Sequence, residues 1–251
     1  MRGYIVAAAL AVAGASTVTS NSSLGGIFPT IGDYSSIAEP ERFGTVRQPF
    51  ILAAFSDLAA HSEAEPAINR IVAQGIMRGV TPTEFAPDAT LTRGDFLIAI
   101  QHMFSLPRAP GGLNFTDVPA SGPLNDAVKA VEPYLGRQML CSGCALVTNL
   151  MPGDPVSRAE ATLIITRVLI AQKKLQVLNQ TETDSVLAGV PDSGQLSRPA
   201  RPYFATAILN GIMPSGPQRR IAPEMEVSRA NAAIFLDSVQ RQFNIPEVKP
   251  P

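Results

Sequence analysis

Pro152-Gly153-Asp154-Pro155-Val156-Ser157-Arg158-Ala159-Glu160-Ala161-Thr162-Leu163-Ile164 places a proline turn six residues ahead of an arginine that opens a long apolar run. Ser157 with Glu160 three positions later is the pattern of a capping box, so a helix is expected to start at Arg158. The same wording occurs twice more. Phe85-Ala86-Pro87 precedes Thr92-Arg93, and Ile221-Ala222-Pro223 precedes Ser228-Arg229, again with six residues from proline to arginine. Asp95 occupies the position of Glu160, and Asn231 is a weaker version of it. Thr92, Ser157 and Ser228 are therefore read as N-caps.

Moving toward the N-terminus of each copy, the turn is preceded by a glycine: Gly75, Gly136 or Gly211. Before that glycine stands an apolar-x-Asp triplet: Phe55-Ser56-Asp57, Phe115-Thr116-Asp117 or Val190-Pro191-Asp192. The Asp-to-Gly separations are 18, 19 and 19 residues. Ordered landmarks recurring three times define an internal repeat. Between Asp and Gly the periodicity predicts first helices at 64–74, 124–135 and 200–210, with Ile68, Ile71 and Val72 on one face. Val128, Val131 and Leu135 do the same in the second copy, and the glycines suit the C′ position, where positive φ costs little. The second helices are strongly apolar (Phe96, Leu97, Ile100, Phe104; Leu163, Ile164, Val168, Leu169; Ala233, Ile234, Phe235, Val239) and are expected to form the common core. One unit alone cannot bury such a helix, so the three must pack together.

This repeat resembles the S-layer homology (SLH) domain in its apolar-x-Asp opening, the Gly-Ile at the first helix end, the apolar-x-Pro turn and the [Ser/Thr]-Arg-Ala-Glu helix start. Ser157-Arg158-Ala159-Glu160 matches most closely, and Gly75-Ile76-Met77-Arg78-Gly79 and Phe85-Ala86-Pro87-Asp88 match well. The resemblance covers about residues 50–245. It implies a mainly α fold in which three helix-loop-helix repeats (50–108, 109–178, 179–245) form a pseudo-threefold spindle around a central three-helix bundle. It further implies non-covalent, non-catalytic attachment to cell-wall glycan or a peptidoglycan-linked polymer, held in grooves between repeats to which the arginine contributes. The sequence departs from the family pattern at Ser62, where an aromatic is usual, and contains no Trp.

Two readings of the arginines stand side by side. At the first position of a helix, beside backbone N–H groups and the positive end of the dipole, Arg93, Arg158 and Arg229 suit a carboxylate or phosphate. Gly75, Gly79 and Gly211 would let a sugar approach the backbone. Alternatively the arginines pair with Asp57, Asp117 and Asp192 and tie the repeats together. All nine residues are candidate groove contacts.

Composition excludes much else. The 251 residues are 45% hydrophobic and 16% charged, with net charge −1, which is too apolar for global disorder and too neutral for a nucleic-acid footprint. Two histidines and two cysteines leave little for a metal site, and no cofactor motif, phosphate loop or nucleophile elbow is present. Met1-Arg2, the apolar stretch 4–12 and Ala13-Gly14-Ala15 read as a signal peptide (1–15) cleaved before Ser16, the alternative being a short retained anchor. A Ser/Gly/Pro-rich linker or arm (16–49) follows, and 246–251 reads as a frayed tail. Cys141-Ser142-Gly143-Cys144 lies in a four-residue insertion of the second copy and is expected to close as a local disulfide. A thiol oxidoreductase would need a strand before the motif, and none is evident. His61 falls at a position where the family commonly has His, and His102 reads as a satisfied core-helix residue. The expectation is an exported cell-envelope module with no room for a further domain. The alternative is a structural or accessory subunit of an envelope assembly that grips proteins through the SLH surface or the arm.

Overall fold

A computed structural model describes residues 55–109, 115–136, 149–213 and 220–249. The leader, the arm and the Cys141–Cys144 loop lie outside the described residues. Seven α-helices occur among them: α1 Glu65–Ala73, α2 Arg93–Phe104, α3 Pro123–Val131, α4 Arg158–Ala171, α5 Gln180–Leu187, α6 Arg201–Leu209 and α7 Arg229–Gln242. A 3-10 turn over Glu132–Tyr134 prolongs α3. Extended pairing among the described residues is confined to isolated bridges, so the class is mainly α. Among the described residues, helix α5 has no counterpart in the other units. Its capping box of Asn179 and Glu182 is a local sequence signal that the threefold pattern does not contain.

Two ways of starting a helix alternate along the chain. Helices α1, α3 and α6 each begin with a proline in the first turn (Pro66, Pro123, Pro202), where the missing N–H would have had no intrahelical partner. They end at Gly75, Gly136 and Gly211, all at positive φ (69°, 59° and 64°). Helices α2, α4 and α7 begin instead at Thr92, Ser157 and Ser228, whose side chains accept from the amides of Asp95, Glu160 and Asn231. Of these three, α4 has the complete capping box.

The two remaining exposed N–H groups at each of these starts are bonded across to another unit. Gly94 donates to the Pro152 carbonyl (2.8 Å), Ala159 to Pro223 (3.0 Å) and Ala230 to Pro87 (3.0 Å). The amides of Arg93, Arg158 and Arg229 donate to Asp154, Met225 and Ala89, each at 2.8 Å. Just upstream, Leu91 donates to Val227, Val227 to Val156, and Val156 back to Leu91, at 2.9, 3.1 and 2.9 Å. The three segments thus close a ring of backbone hydrogen bonds among buried side chains. Around it, each capped helix packs against the proline-started helix of another unit: α2 with α3, α4 with α6, and α7 with α1. The core beneath contains fully buried Phe85, Phe96, Phe204, Ile68, Leu97 and Ile165. The chain beyond α7 is not frayed through residue 249. Ile245 is buried, the Val248 amide donates to Gln74 Oε1 (3.1 Å), and the Val248 side chain packs on the core.

Removing the complete cap isolates its contribution. Ser157→Ala should lower stability by about 1 kcal/mol, the usual cost of losing a hydroxyl cap. Urea unfolding should show a lower midpoint with an unchanged m-value, because the exposed surface stays the same.

Candidate functional site

The apolar-x-Pro turn of each unit holds a residue at positive φ that is not glycine: Ala86 (56°), Met151 (55°) and Ala222 (47°). This left-handed conformation is unfavourable for a side chain with Cβ and needs outside support. The aspartates supply it. Asp57 accepts from the amides of Phe85 (3.1 Å) and Ala86 (2.7 Å), Asp117 from Leu150 (2.8 Å) and Met151 (2.6 Å), and Asp192 from Ile221 (2.9 Å) and Ala222 (2.8 Å). All three carboxylates are therefore engaged with backbone inside their own unit.

The arginines hold the carbonyl side of the same turns, one unit away. Arg93 Nη1 donates to the carbonyls of Leu150 (3.0 Å) and Met151 (2.6 Å), Arg158 Nε to Ile221 (3.0 Å), and Arg229 Nε to Phe85 (2.8 Å). A second nitrogen of Arg229 donates to the Arg78 carbonyl, and its Cζ lies 4.7 Å from the centre of the Phe85 ring. Arg93 also forks onto Glu160, with Nε to Oε1 at 3.0 Å and Nη2 to Oε2 at 3.2 Å. Arginine and aspartate thus grip opposite polar groups of a shared turn.

This geometry corrects the helix-start argument. The first three N–H groups of α2, α4 and α7 are bonded to neighbouring carbonyls and to the capping hydroxyl, so they are not open to an anion. Burial pushes the Arg158 guanidinium down from its ordinary value, and the Asp192 charge opposes it. Burial does the same to Arg229, opposed by Asp95 and Asp57. The glycines divide as well. A Cβ on Gly79 would lie 2.5 Å from the Thr81 carbonyl oxygen and 2.6 Å from the Phe55 ring, so the loop's own packing requires glycine there. At Gly75 the space is open. Among the described residues Gly211 faces the Gln242 amide, 4.0 Å from its Cβ position.

Among the predicted residues, Gly75, Gly79 and Arg229 come together on one cavity of ≈ 280 Å³, joined by Asp95, Ile98 and His102. His102, read from the sequence as a satisfied core-helix residue, is half-buried and hydrogen-bonded. In the structure its Nδ1 donates to the Gly75 carbonyl (3.0 Å), fixing the loop that forms the cavity wall. His61 binds Asp88 instead, at 3.1 Å. Arg93 lines a separate groove of ≈ 390 Å³ with Asp154, Glu160, Glu224 and Glu226. No cluster of His, Cys, Asp and Glu suited to a metal occurs among the described residues.

The aspartate clamps have a pH signature. Burial pushes the Asp57 carboxyl up, but the amides of Phe85 and Ala86 outweigh it and hold the group below the ordinary carboxylate value of 3.8. Asp192 behaves likewise through Ile221 and Ala222. A carboxyl depressed by folding contributes stability above its unfolded pKa and loses it as pH falls through the folded value. The melting temperature should therefore drop as pH falls below about 4. The Asp57→Asn/Asp192→Asn variant should melt lower near neutrality and show a shallower acid-side decline in a calorimetric pH series.

Residues 54–97 match the S-layer homology domain, within the region that carries the first clamp and much of the ≈ 280 Å³ cavity. The chain is 26% identical over 178 residues to an amylopullulanase of Thermoanaerobacterium thermosulfurigenes, covering 69% of this chain and 9% of that protein. It is 24% identical over 182 residues to exoglucanase XynX of Acetivibrio thermocellus, covering 72% of this chain and 16% of that protein. The chain spans less than a fifth of either relative's length, so these likenesses concern a module. Residues 54–97, which hold Asp57 and the turn it clamps, are thus an S-layer homology domain.

Proposed function

We propose that this chain is a non-catalytic module that attaches to the cell envelope by binding wall glycan or a peptidoglycan-linked polymer. The observation that carries the reading is the cavity where Gly75, Gly79, Asp95, His102 and Arg229 meet. It lies between the loop after α1 and the start of α7, so it forms only when the units are assembled. Its walls mix aliphatic surface with a guanidinium, a carboxylate and an imidazole, a composition suited to a sugar's apolar faces and hydroxyl rims. S-layer homology domains serve as envelope anchors, and the relatives named above carry the enzymatic titles amylopullulanase and exoglucanase over far longer chains. Within this reading the units at 50–108, 109–178 and 179–245 are tandem repeats about a pseudo-threefold axis. The cyclic order of the clamps supports that arrangement. The chain is exported, with 1–15 as its leader, and no helix among the described residues is long and apolar enough to cross a membrane.

Arg93, Arg158 and Arg229 are poor choices for a binding test, because each one bonds another unit. Ile98 is better, since it lines the cavity from α2 without belonging to a clamp. The wild-type chain should pellet with purified sacculi of its own host. Ile98→Trp, which narrows the cavity, should pellet several-fold less while keeping its melting profile. Wild-type protein that stays in the supernatant would defeat the anchoring reading, and equal pelleting of both forms would move the contact to another face.

A further inference from the structure

A second groove, of ≈ 430 Å³, lies beside the first and shares Gly75, Arg78 and His102 with it. Its remaining walls include Gln101 of α2, Ser105 just past the end of that helix, and the strap Val248-Lys249. None of the described residues that line it is Asp or Glu, whereas the groove near α4 carries four carboxylates around Arg93. On a chain of net charge −1, the charges are thus sorted by face. Arg78 and Lys249 line the groove from segments 171 positions apart, and neither is in an ion pair among the described residues.

The strap is fixed in place by buried groups. Gln74, 8% exposed, pairs its amide with that of Gln240 at 2.7 and 3.1 Å, and the same Gln74 oxygen takes the Val248 amide. Lys249 is therefore positioned by its neighbour on a docked backbone. Two unpaired cations facing a shared groove, with hydroxyl and amide donors between them, favour anionic groups. We infer that the strap at 246–249 completes an anion-binding subsite, with Arg78 and Lys249 as its cations. Its ligand is a carboxylate or phosphate group on a polymer that continues into the neighbouring cavity. The polymeric nature of the ligand rests on the envelope-anchoring reading, while the preference for an anion rests on the groove itself.

The test titrates the full chain with oligogalacturonate, which carries carboxylates, and separately with poly(glycerol phosphate), following heat release at low and at near-physiological salt. At least one probe should bind, more weakly at the higher salt. Arg78→Gln/Lys249→Gln should lose about tenfold in affinity and show a flatter salt dependence. Lys173→Gln, at an exposed cation outside both cavities, should bind like wild type. Both substituted side chains are exposed, and an unchanged melting temperature establishes that the double variant is folded. Binding of either probe alone supports the subsite and tells carboxylate from phosphate. Failure of both probes, or equal affinities for wild type and double variant, overturns it. Sacculus pelleting run alongside separates the two readings. Wild-type pelleting without probe binding removes the subsite and leaves anchoring, whereas loss of pelleting with probe binding intact does the reverse.

Discussion

The structure depends on three short turns being held in a conformation they would not keep alone. Ala86, Met151 and Ala222 sit at positive φ without being glycine. Each turn is fixed by a carboxylate on its amides from the same unit and a guanidinium on its carbonyl from another. The amide contact is local and forms with the unit. The carbonyl contact exists only when two units meet, so turn geometry and assembly are coupled: a unit whose turn opens loses its own backbone bonds and its hold on a neighbour. Because the contacts run from the first unit to the second, the second to the third and the third to the first, no unit is an uncommitted end.

The same coupling governs the helix starts. An isolated α2, α4 or α7 would leave N–H groups unbonded at its first turn, and the short capping hydroxyl satisfies one of them. Carbonyls of another unit's turn satisfy two more. That arrangement explains why serine or threonine recurs immediately before the arginine, and it leaves none of the first three N–H groups of these helices open to an anion. Helices α1, α3 and α6 avoid the problem by beginning with proline.

Much of this was legible in the sequence because each landmark has a local cause. Ser157 and Glu160 form a cap within four residues, and a C′ glycine needs only its own φ. The aspartates and arginines were singled out correctly as recurrent, but the backbone groups they bind lie 28 to 151 positions away, which spacing alone does not reveal. His102 was legible as a satisfied residue of a core helix, but not its partner, the Gly75 carbonyl, which the end of α1 brings to it from 27 positions away. Helix α5 escaped because the repeat comparison draws attention to what recurs, and its cap at Asn179 does not. The docked strap escaped because a Pro-rich end reads as frayed, while its anchor, Gln74, lies 174 positions earlier.

Where the units differ, the differences fall on their contacts. Arg70 of α1 forks onto Asp237 of α7 at 2.7 and 2.8 Å, and Arg241 adds a third bond to the same 2%-exposed carboxylate. At the matching position of α4, eight residues past the signature arginine, stands Thr166; at the matching position of α6, five before the terminal glycine, stands Thr206. Both threonines are fully buried and bond to carbonyls of their own helices. The corresponding positions on α2 and α3 are Gln101 and Val131. A charged pair therefore belongs to the contact between α7 and α1 and has no counterpart in the other two. Moving α7 onto α3 or α6 would bury Asp237 opposite Val131 or Thr206, leaving only the exposed Arg241 of its own helix to pair it and forfeiting the two-bond fork from Arg70. Near-identical clamps would allow any unit to follow any other; the unlike helix pairs restrict that choice and set the order in which the ring closes.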